Sequence, residues 1–163
     1  MHRVVIFGNS GSGKSTLAKE KAEFHSCAHL DLDTVAWDDG YEAPTRRPLM
    51  ESAAQIESFL TKNENWVIEG CYSDLLNLVI AYSTELIFLN PGVKTCIANC
   101  KNRPWEPHKY DSLQAQNANL EMLSKWIENY SMRQDEFSLT AHRQLYDSYT
   151  GKKHEYTSNS RHD

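Results

Sequence analysis

The sequence has little of what would indicate a membrane protein, a cysteine framework or general nucleic-acid binding. No apolar run approaches the roughly 20 residues that span a bilayer. Four scattered cysteines form no C-x-x-C pair, which argues against a zinc site or disulfide framework. Acidic residues outnumber basic ones by 22 to 17. The resulting net charge of −5 argues against nucleic acid as a partner.

What is present is the composition of an ordinary globular protein. Of the 163 residues, 40% are hydrophobic and 24% charged, which is enough to bury one core, and we expect a single domain over 1–163. The first predicted strand begins at residue 3, which leaves no room for a signal peptide. We therefore expect a cytoplasmic protein with no membrane partner.

Glycine is scarce, and three of the seven glycines fall within GNSGSGKS at 8–15. This stretch fits the phosphate-loop pattern G-x-x-x-x-G-K-[ST], with Lys14 predicted to reach the β- and γ-phosphates and Ser15 to ligate Mg²⁺. Its context also fits, because an apolar strand at 3–7 precedes it and a helical segment runs from Lys14 to about His25. The alternative is a flexible Gly/Ser turn. The predicted nucleotide-binding residues are Gly8, Asn9, Ser10, Gly11, Ser12, Gly13, Lys14, Ser15 and Thr16.

Strands alternate with helical segments along the rest of the chain. Helices are predicted at about 48–62, 73–82 and 93–102, followed by a long amphipathic stretch. Such alternation is typical of right-handed βαβ units, so the predicted fold class is α/β with a parallel sheet and helices on both faces. The five predicted strands are 3–7, 28–32, 65–69, 85–89 and 153–157.

Acidic residues stand at two predicted strand ends, where open parallel sheets bind their ligands. Asp31 and Asp33 end the second strand, and Glu69 ends the third. Beside a phosphate loop, such acids hold Mg²⁺ directly or through water, or accept the proton of an attacking hydroxyl. Helix capping is the alternative, and it suits Asp33 in particular.

Two arginines are candidates for neutralising a transferred phosphoryl group. Arg103 lies in a proline-rich turn and Arg133 interrupts the amphipathic stretch. Arginines on mobile segments neutralise the charge that spreads over the phosphoryl group and help to exclude water. The alternative is that both arginines are simply solvated on helix surfaces.

The irregular segment from 34 to 48 is a candidate acceptor site. Trp37 and Tyr41 could stack on a flat substrate, and Arg46 or Arg47 could pair with its phosphate or carboxylate. Equally, Trp37 could fill the underside of this loop.

Five blocks of the sequence together resemble the small P-loop kinases related to adenylate kinase and shikimate kinase. The sequence is most similar to the bacterial topology modulation proteins, or adenylate-kinase-like ATPases. The blocks are GNSGSGKST, HLDLDTVAW, NWVIEGCYSDL, ELIFLNP and WIENYSMR.

The resemblance implies a three-layer P-loop NTPase fold with strand order 2-3-1-4-5. It implies an acceptor-binding insert at about 34–62, a short lid at about 103–112, and adenine near 158–161. Asp31 and Asp33 match the D-x-D pair that serves metal and acceptor in shikimate kinases, and Glu69 matches an acidic position after the third strand.

The function predicted from these residues is transfer of the ATP γ-phosphoryl to a small acceptor, with Mg²⁺. Lys14, Asp33, Arg103 and Arg133 are the predicted catalytic residues. The acceptor stays open among nucleotides, nucleosides and small hydroxy acids. The alternative is a nucleotide-dependent binding or regulatory module without kinase activity. A GTPase is disfavoured because the guanine-reading sequence N-K-x-D is absent.

Overall fold

The computed structural model describes residues 1–38 and 45–160, and its centre is a five-stranded parallel sheet. The strand order is β2-β3-β1-β4-β5, which is the predicted 2-3-1-4-5. An unpredicted antiparallel pair, Trp37–Asp38 with Thr45–Arg46, shifts the order to 2-5-1-6-7 when its strands are also counted. The predicted α/β class is confirmed. The five long strands are β1 (Arg3–Gly8), β2 (Ala28–Asp31), β3 (Trp66–Gly70), β4 (Glu85–Leu89) and β5 (Lys152–Tyr156).

Helices connect the strands at positions close to those predicted, with two differences. The helix predicted at 73–82 ends earlier, and a 3-10 turn, Ile80–Tyr82, completes it. The long amphipathic stretch is divided into separate helices by turns. The helices are α1 (Lys14–His25), α2 (Asp33–Ala36), α3 (Leu49–Lys62), α4 (Ser73–Val79), α5 (Val93–Lys101), α6 (Leu113–Ala118), α7 (Leu120–Glu128) and α8 (Leu139–Ser148).

Both faces of the sheet are buried. Successive side chains of β1 point to opposite sides of the sheet, and each set packs into a separate core. Val5 and Phe7 pack into a core with α3, α4 and α8, and Phe7 stacks on Phe88 of β4 with ring centroids 4.8 Å apart. Val4 and Ile6 face the other way into a second core with α1. These two cores produce the predicted three layers. Within the two described ranges, no helix is long and apolar enough to cross a membrane.

A buried polar chain fixes the backbone just beyond β3. The Nε2 of His142 lies 2.7 Å from the carbonyl oxygen of Cys71, and its Nδ1 lies 2.6 Å from the hydroxyl of Tyr130. Since a carbonyl only accepts, Nε2 carries the proton and Nδ1 accepts from Tyr130. Burial lowers the pKa of His142 to about 4, which keeps the ring neutral. The segment that follows Glu69 is therefore held in place from α8.

Removing the Tyr130 hydroxyl tests this chain. Tyr130→Phe leaves the buried Nδ1 of His142 without its donor, and we expect the free energy of unfolding to fall by about 1–3 kcal/mol. Urea unfolding measures the change. Tyr82→Phe, at an exposed tyrosine, is the matched control and should have little effect. Equal stability of the two variants would contradict the buried role of the hydroxyl.

Candidate active site

The phosphate loop joins β1 to α1, and glycine is required at two of its turns. Gly11 has a φ of +77°, and a Cβ there would lie 2.3 Å from the carbonyl oxygen of Cys96 in α5. Gly13 has a φ of +95° immediately before α1. Both angles are in the left-handed region that side chains rarely adopt. The loop therefore takes a shape in which successive amides form a concave nest.

Two asparagines hold the outer carbonyls of this loop. Asn99 donates to the Gly11 oxygen at 2.8 Å, and Asn159 donates to the Ser12 oxygen at 3.0 Å. In a trans peptide the N–H points away from the carbonyl, so the amide of Gly13 points away from Asn159. The two asparagines also bond each other, since Asn99 donates to the side-chain oxygen of Asn159 at 2.8 Å. Together they hold the loop with its amides available to an anion.

Lys14 begins α1, and its ammonium donates to the Asn9 oxygen of the same loop at 2.8 Å. The first helical hydrogen bond runs from the amide of Leu17 to the carbonyl oxygen of Gly13, the residue just before α1. The amides of the first helical turn therefore lack intrahelical partners, as at any helix start, and they carry partial positive charge. A lysine, a helix start and a nest in one loop are the features that can bind a phosphate.

Ser15 connects this loop to a buried acid. Its hydroxyl donates to Glu69 Oε1 at 2.8 Å, while Oε2 of the same carboxylate lies 3.3 Å from His29 Nε2. Glu69 is only 2% exposed. Its position follows from the sheet register, which pairs it with Ile6 of β1 and Asp31 of β2. The three strand ends therefore bring the predicted metal residues together.

Asp31 and Asp33 lie at the adjoining strand end. The side chain of Asp31 accepts from the Asp33 amide at 2.9 Å. Burial, with the negative charges of Asp33 and Glu69, raises the pKa of Asp31 to about 6. Asp33 is the first residue of α2, but its side chain does not cap that short helix. Among the described residues its carboxylate contacts side chains from other segments, so the capping alternative does not describe it.

Lys109, which was not predicted, is the cation at this acid pair. Its ammonium lies 2.8 Å from Asp33 Oδ2, 3.8 Å from Asp31 and 3.5 Å from Glu106. Burial opposes ionisation, but Asp33 and Asp31 together raise the pKa of Lys109. For Asp33, burial is likewise outweighed by Lys109, Tyr72 and the more distant Lys14, so its pKa is lowered.

Tyr72 orients the other oxygen of Asp33. Its hydroxyl donates to Asp33 Oδ1 and accepts from the Trp37 indole N–H at 2.8 Å. Trp37 packs partly against the core, as one of the two alternatives that the sequence left open expects. The chain from Trp37 through Tyr72 connects the predicted acceptor insert to Asp33.

The predicted acceptor arginines are engaged with acids. Arg46 pairs with Asp74 at 2.9 Å and with Glu136 at 3.0 Å, and Arg47 pairs with Asp38 at 3.0 Å. Tyr41, the remaining predicted acceptor residue, lies outside the described residues.

The two predicted phosphoryl-clamping arginines also have local partners. Arg103 pairs with Glu106 at 3.1 Å, and the same glutamate contacts Lys109. Arg133 bonds Asp135 at 2.5 and 2.7 Å and stacks 3.6 Å from the ring centroid of Trp126. Arg103 is therefore connected to the acid pair through two residues, Glu106 and Lys109. None of the contacts that Arg133 makes with described residues reaches the phosphate loop.

The donor set fits Mg²⁺ of the kind that accompanies phosphates. In the described part of the chain no three His, Cys, Asp or Glu side chains form a metal-binding group. Mg²⁺ typically takes only one or two protein oxygens and completes its shell with water and phosphate. The hydroxyl of Ser15 and the carboxylate oxygens of Glu69 are oxygen donors of that type, placed beside the phosphate site.

The sheet order and the glycine loop together define a P-loop kinase fold. Among solved structures, deoxyadenosine kinase from M. mycoides with bound dATP matches it with a TM-score of 0.51. The match covers 98% of this chain and 92% of that chain at 14% identity, which supports the fold alone. No protein-family model and no curated protein sequence matches this chain.

The stability of the acid cluster can be tested through Asp31. Its pKa rises from 3.8 to about 6 on folding, so stability is lost as the pH rises through 6 and is fully restored below 3.8. We expect Asp31→Asn, without nucleotide or Mg²⁺, to raise the melting temperature by about 3 °C near neutral pH. The gain should shrink between pH 6 and 4. Asp111→Asn, at an exposed aspartate, is the control. If the rise in melting temperature of Asp31→Asn does not depend on pH, burial and repulsion of the Asp31 charge are not its cause.

Proposed function

We propose that this protein is an ATP- and Mg²⁺-dependent phosphotransferase that acts on a small acceptor. The observation that carries the proposal is the Ser15–Glu69 hydrogen bond of 2.8 Å, because it joins the phosphate loop to the acids at the strand ends. A phosphate loop alone only binds. With acids beside it, the site can also hold a metal and orient a nucleophile. The fold shared with a deoxyadenosine kinase supports the same proposal.

Each residue has a role that follows from its position. The loop amides at 8–16 and the Lys14 ammonium hold the β- and γ-phosphates. To do so, Lys14 gives up its hydrogen bond to the Asn9 oxygen and donates to phosphate oxygens instead. Ser15 holds Mg²⁺, with Glu69 and Asp31 acting directly or through water. Bound Mg²⁺ supplies charge neutralisation of the phosphates. Adenine would lie beside Asn159.

Asp33 receives the hydrogen bond of the acceptor hydroxyl, with Tyr72 fixing its orientation. Lys109, with Arg103 beside it through Glu106, supplies positive charge at the transferred group. Arg133 contributes positive charge there only after its hydrogen bonds to Asp135 are broken. The segments 34–62 and 103–112 then act as acceptor-binding insert and lid in a single domain. We further propose that the chain belongs with the adenylate-kinase-related topology modulation group and acts in the cytoplasm.

A binding or regulatory module is the second candidate. Both oxygens of Asp33 already have partners, Tyr72 and Lys109. An acceptor hydroxyl that donates to Asp33 therefore has to share its oxygens with Lys109 and Tyr72 or displace Lys109, whereas nucleotide binding alone requires no such adjustment. This module would bind ATP and change conformation without forming a phosphorylated small product.

Product analysis separates the two candidates. We expect ATP and Mg²⁺ to yield ADP and a phosphorylated product with some member of a panel of nucleosides, nucleoside monophosphates, sugars and hydroxy acids. Lys14→Ala should reduce turnover by at least about 100-fold, and Lys19→Ala, at an exposed lysine of α1, should not. Mass spectrometry identifies the product. ATP binding without any phosphorylated product would favour the regulatory module.

Lys109→Met tests the lid cation. Loss of a charge that acts on the transferred group should lower kcat by about 100-fold, while ATP affinity measured by calorimetry changes little. Lys109→Arg should restore part of the activity. Lys101→Met, at an exposed lysine of α5, provides the matched control. An unchanged kcat in Lys109→Met would remove Lys109 from the reaction.

A further inference from the structure

The charges around Asp33 bear on the identity of the acceptor. Arg46 belongs to the insert and lies close to this acid, because its guanidinium is 4.9 Å from the ring centroid of Tyr72, which bonds Asp33. Its two ends are bonded to Asp74 and Glu136 at 2.9 and 3.0 Å. Two carboxylates therefore surround one arginine, and this group offers no net positive charge to an incoming anion.

The other arginine of the insert is also paired with a carboxylate. Arg47 donates to Asp38 at 3.0 Å and to the Trp37 carbonyl at 3.1 Å. Among the described residues, three carboxylates therefore bind the two arginines of the insert, and this group carries more negative than positive charge. A site that binds a phosphate or carboxylate through arginine presents the opposite balance.

The basic residues of the lid that face the acid pair are also paired with carboxylates. Arg103 is paired with Glu106, and Lys109 is shared between Asp33, Asp31 and the same glutamate. If Lys109 turns to the transferred phosphoryl, the carboxylates it leaves are available to hydroxyl donors. They repel a second anion.

A further argument comes from the acids themselves. Asp31 and Glu69 are paired across neighbouring strands, and Asp33 follows two residues after Asp31. An acceptor with a phosphate or carboxylate near Asp33 would add another negative charge to this cluster, whereas a hydroxyl adds a donor.

We propose that the acceptor is an uncharged hydroxyl compound of nucleoside or sugar type, and that nucleoside monophosphates and hydroxy acids are rejected. This rests on the proposed function and specifies its substrate class. In the reaction the acceptor oxygen forms a bond to the γ-phosphorus while the bond from that phosphorus to the β,γ-bridging oxygen breaks. The electron pair of that bond leaves with ADP, and the hydroxyl proton passes to Asp33.

Matched pairs of compounds test the proposal. The eight common ribo- and deoxyribonucleosides are compared with their 5′-monophosphates, and glucose and glycerol with gluconate and glycerate, by ADP release and product mass. We expect a neutral member to exceed its charged counterpart by at least about 100-fold in kcat/KM. Preference for a charged member would overturn this inference and leave the phosphotransferase intact. Absence of any phosphorylated product would overturn the proposed function, and this inference with it.

A paired variant tests the cause. Asp74→Asn with Glu136→Gln frees Arg46 of both carboxylates, so discrimination against the charged member should fall by about 10-fold. Glu121→Gln with Glu128→Gln makes the same change in net charge at exposed positions of α7, outside the insert and the lid, and should leave discrimination unchanged. If both double variants discriminate like the original protein, the pairing of Arg46 does not reject anions and the proposal fails.

Discussion

The buried carboxylate of Glu69 is the constraint on which the candidate site depends. A carboxylate is costly to bury unless its oxygens are paired. In this fold one oxygen accepts from Ser15 at the start of α1 and the other lies beside His29 of β2. These pairings fix the phosphate loop relative to the strand that carries Asp31. The arrangement of the phosphate loop and the acids therefore follows from how one buried charge is satisfied.

The sequence predicted the parts of the site that depend on local spacing and strand ends. The phosphate loop, the sheet order and the positions of Asp31 and Glu69 are of this kind. Lys109 could not be found in this way, because its contact with Asp33 depends on the path of a proline-containing turn. Arg46 was named from the sequence, but its pairing with Asp74 and Glu136 was not, since these partners are 28 and 90 residues away in the chain. Long-range pairing of charges leaves no periodic signal.

Asp33 is the point where three segments of the described structure meet. Trp37 reaches it from the insert through Tyr72, Lys109 reaches it from the segment after α5, and β2 carries it to the sheet edge. An exchange of Lys109 for another donor would therefore change contacts made by the segments that carry Trp37 and Lys109.

The central position of β1 has a consequence for how the protein folds. Val5 pairs with Ile68 and Leu86, so β1 is synthesised long before either neighbouring strand. Its run of apolar residues stays without partners during that interval, and unpaired apolar strands are prone to aggregate. The helix that follows carries Lys19, Glu20, Lys21 and Glu23. Charges near a hydrophobic strand limit its aggregation, so we expect α1 to protect the nascent chain as well as to position the phosphate loop.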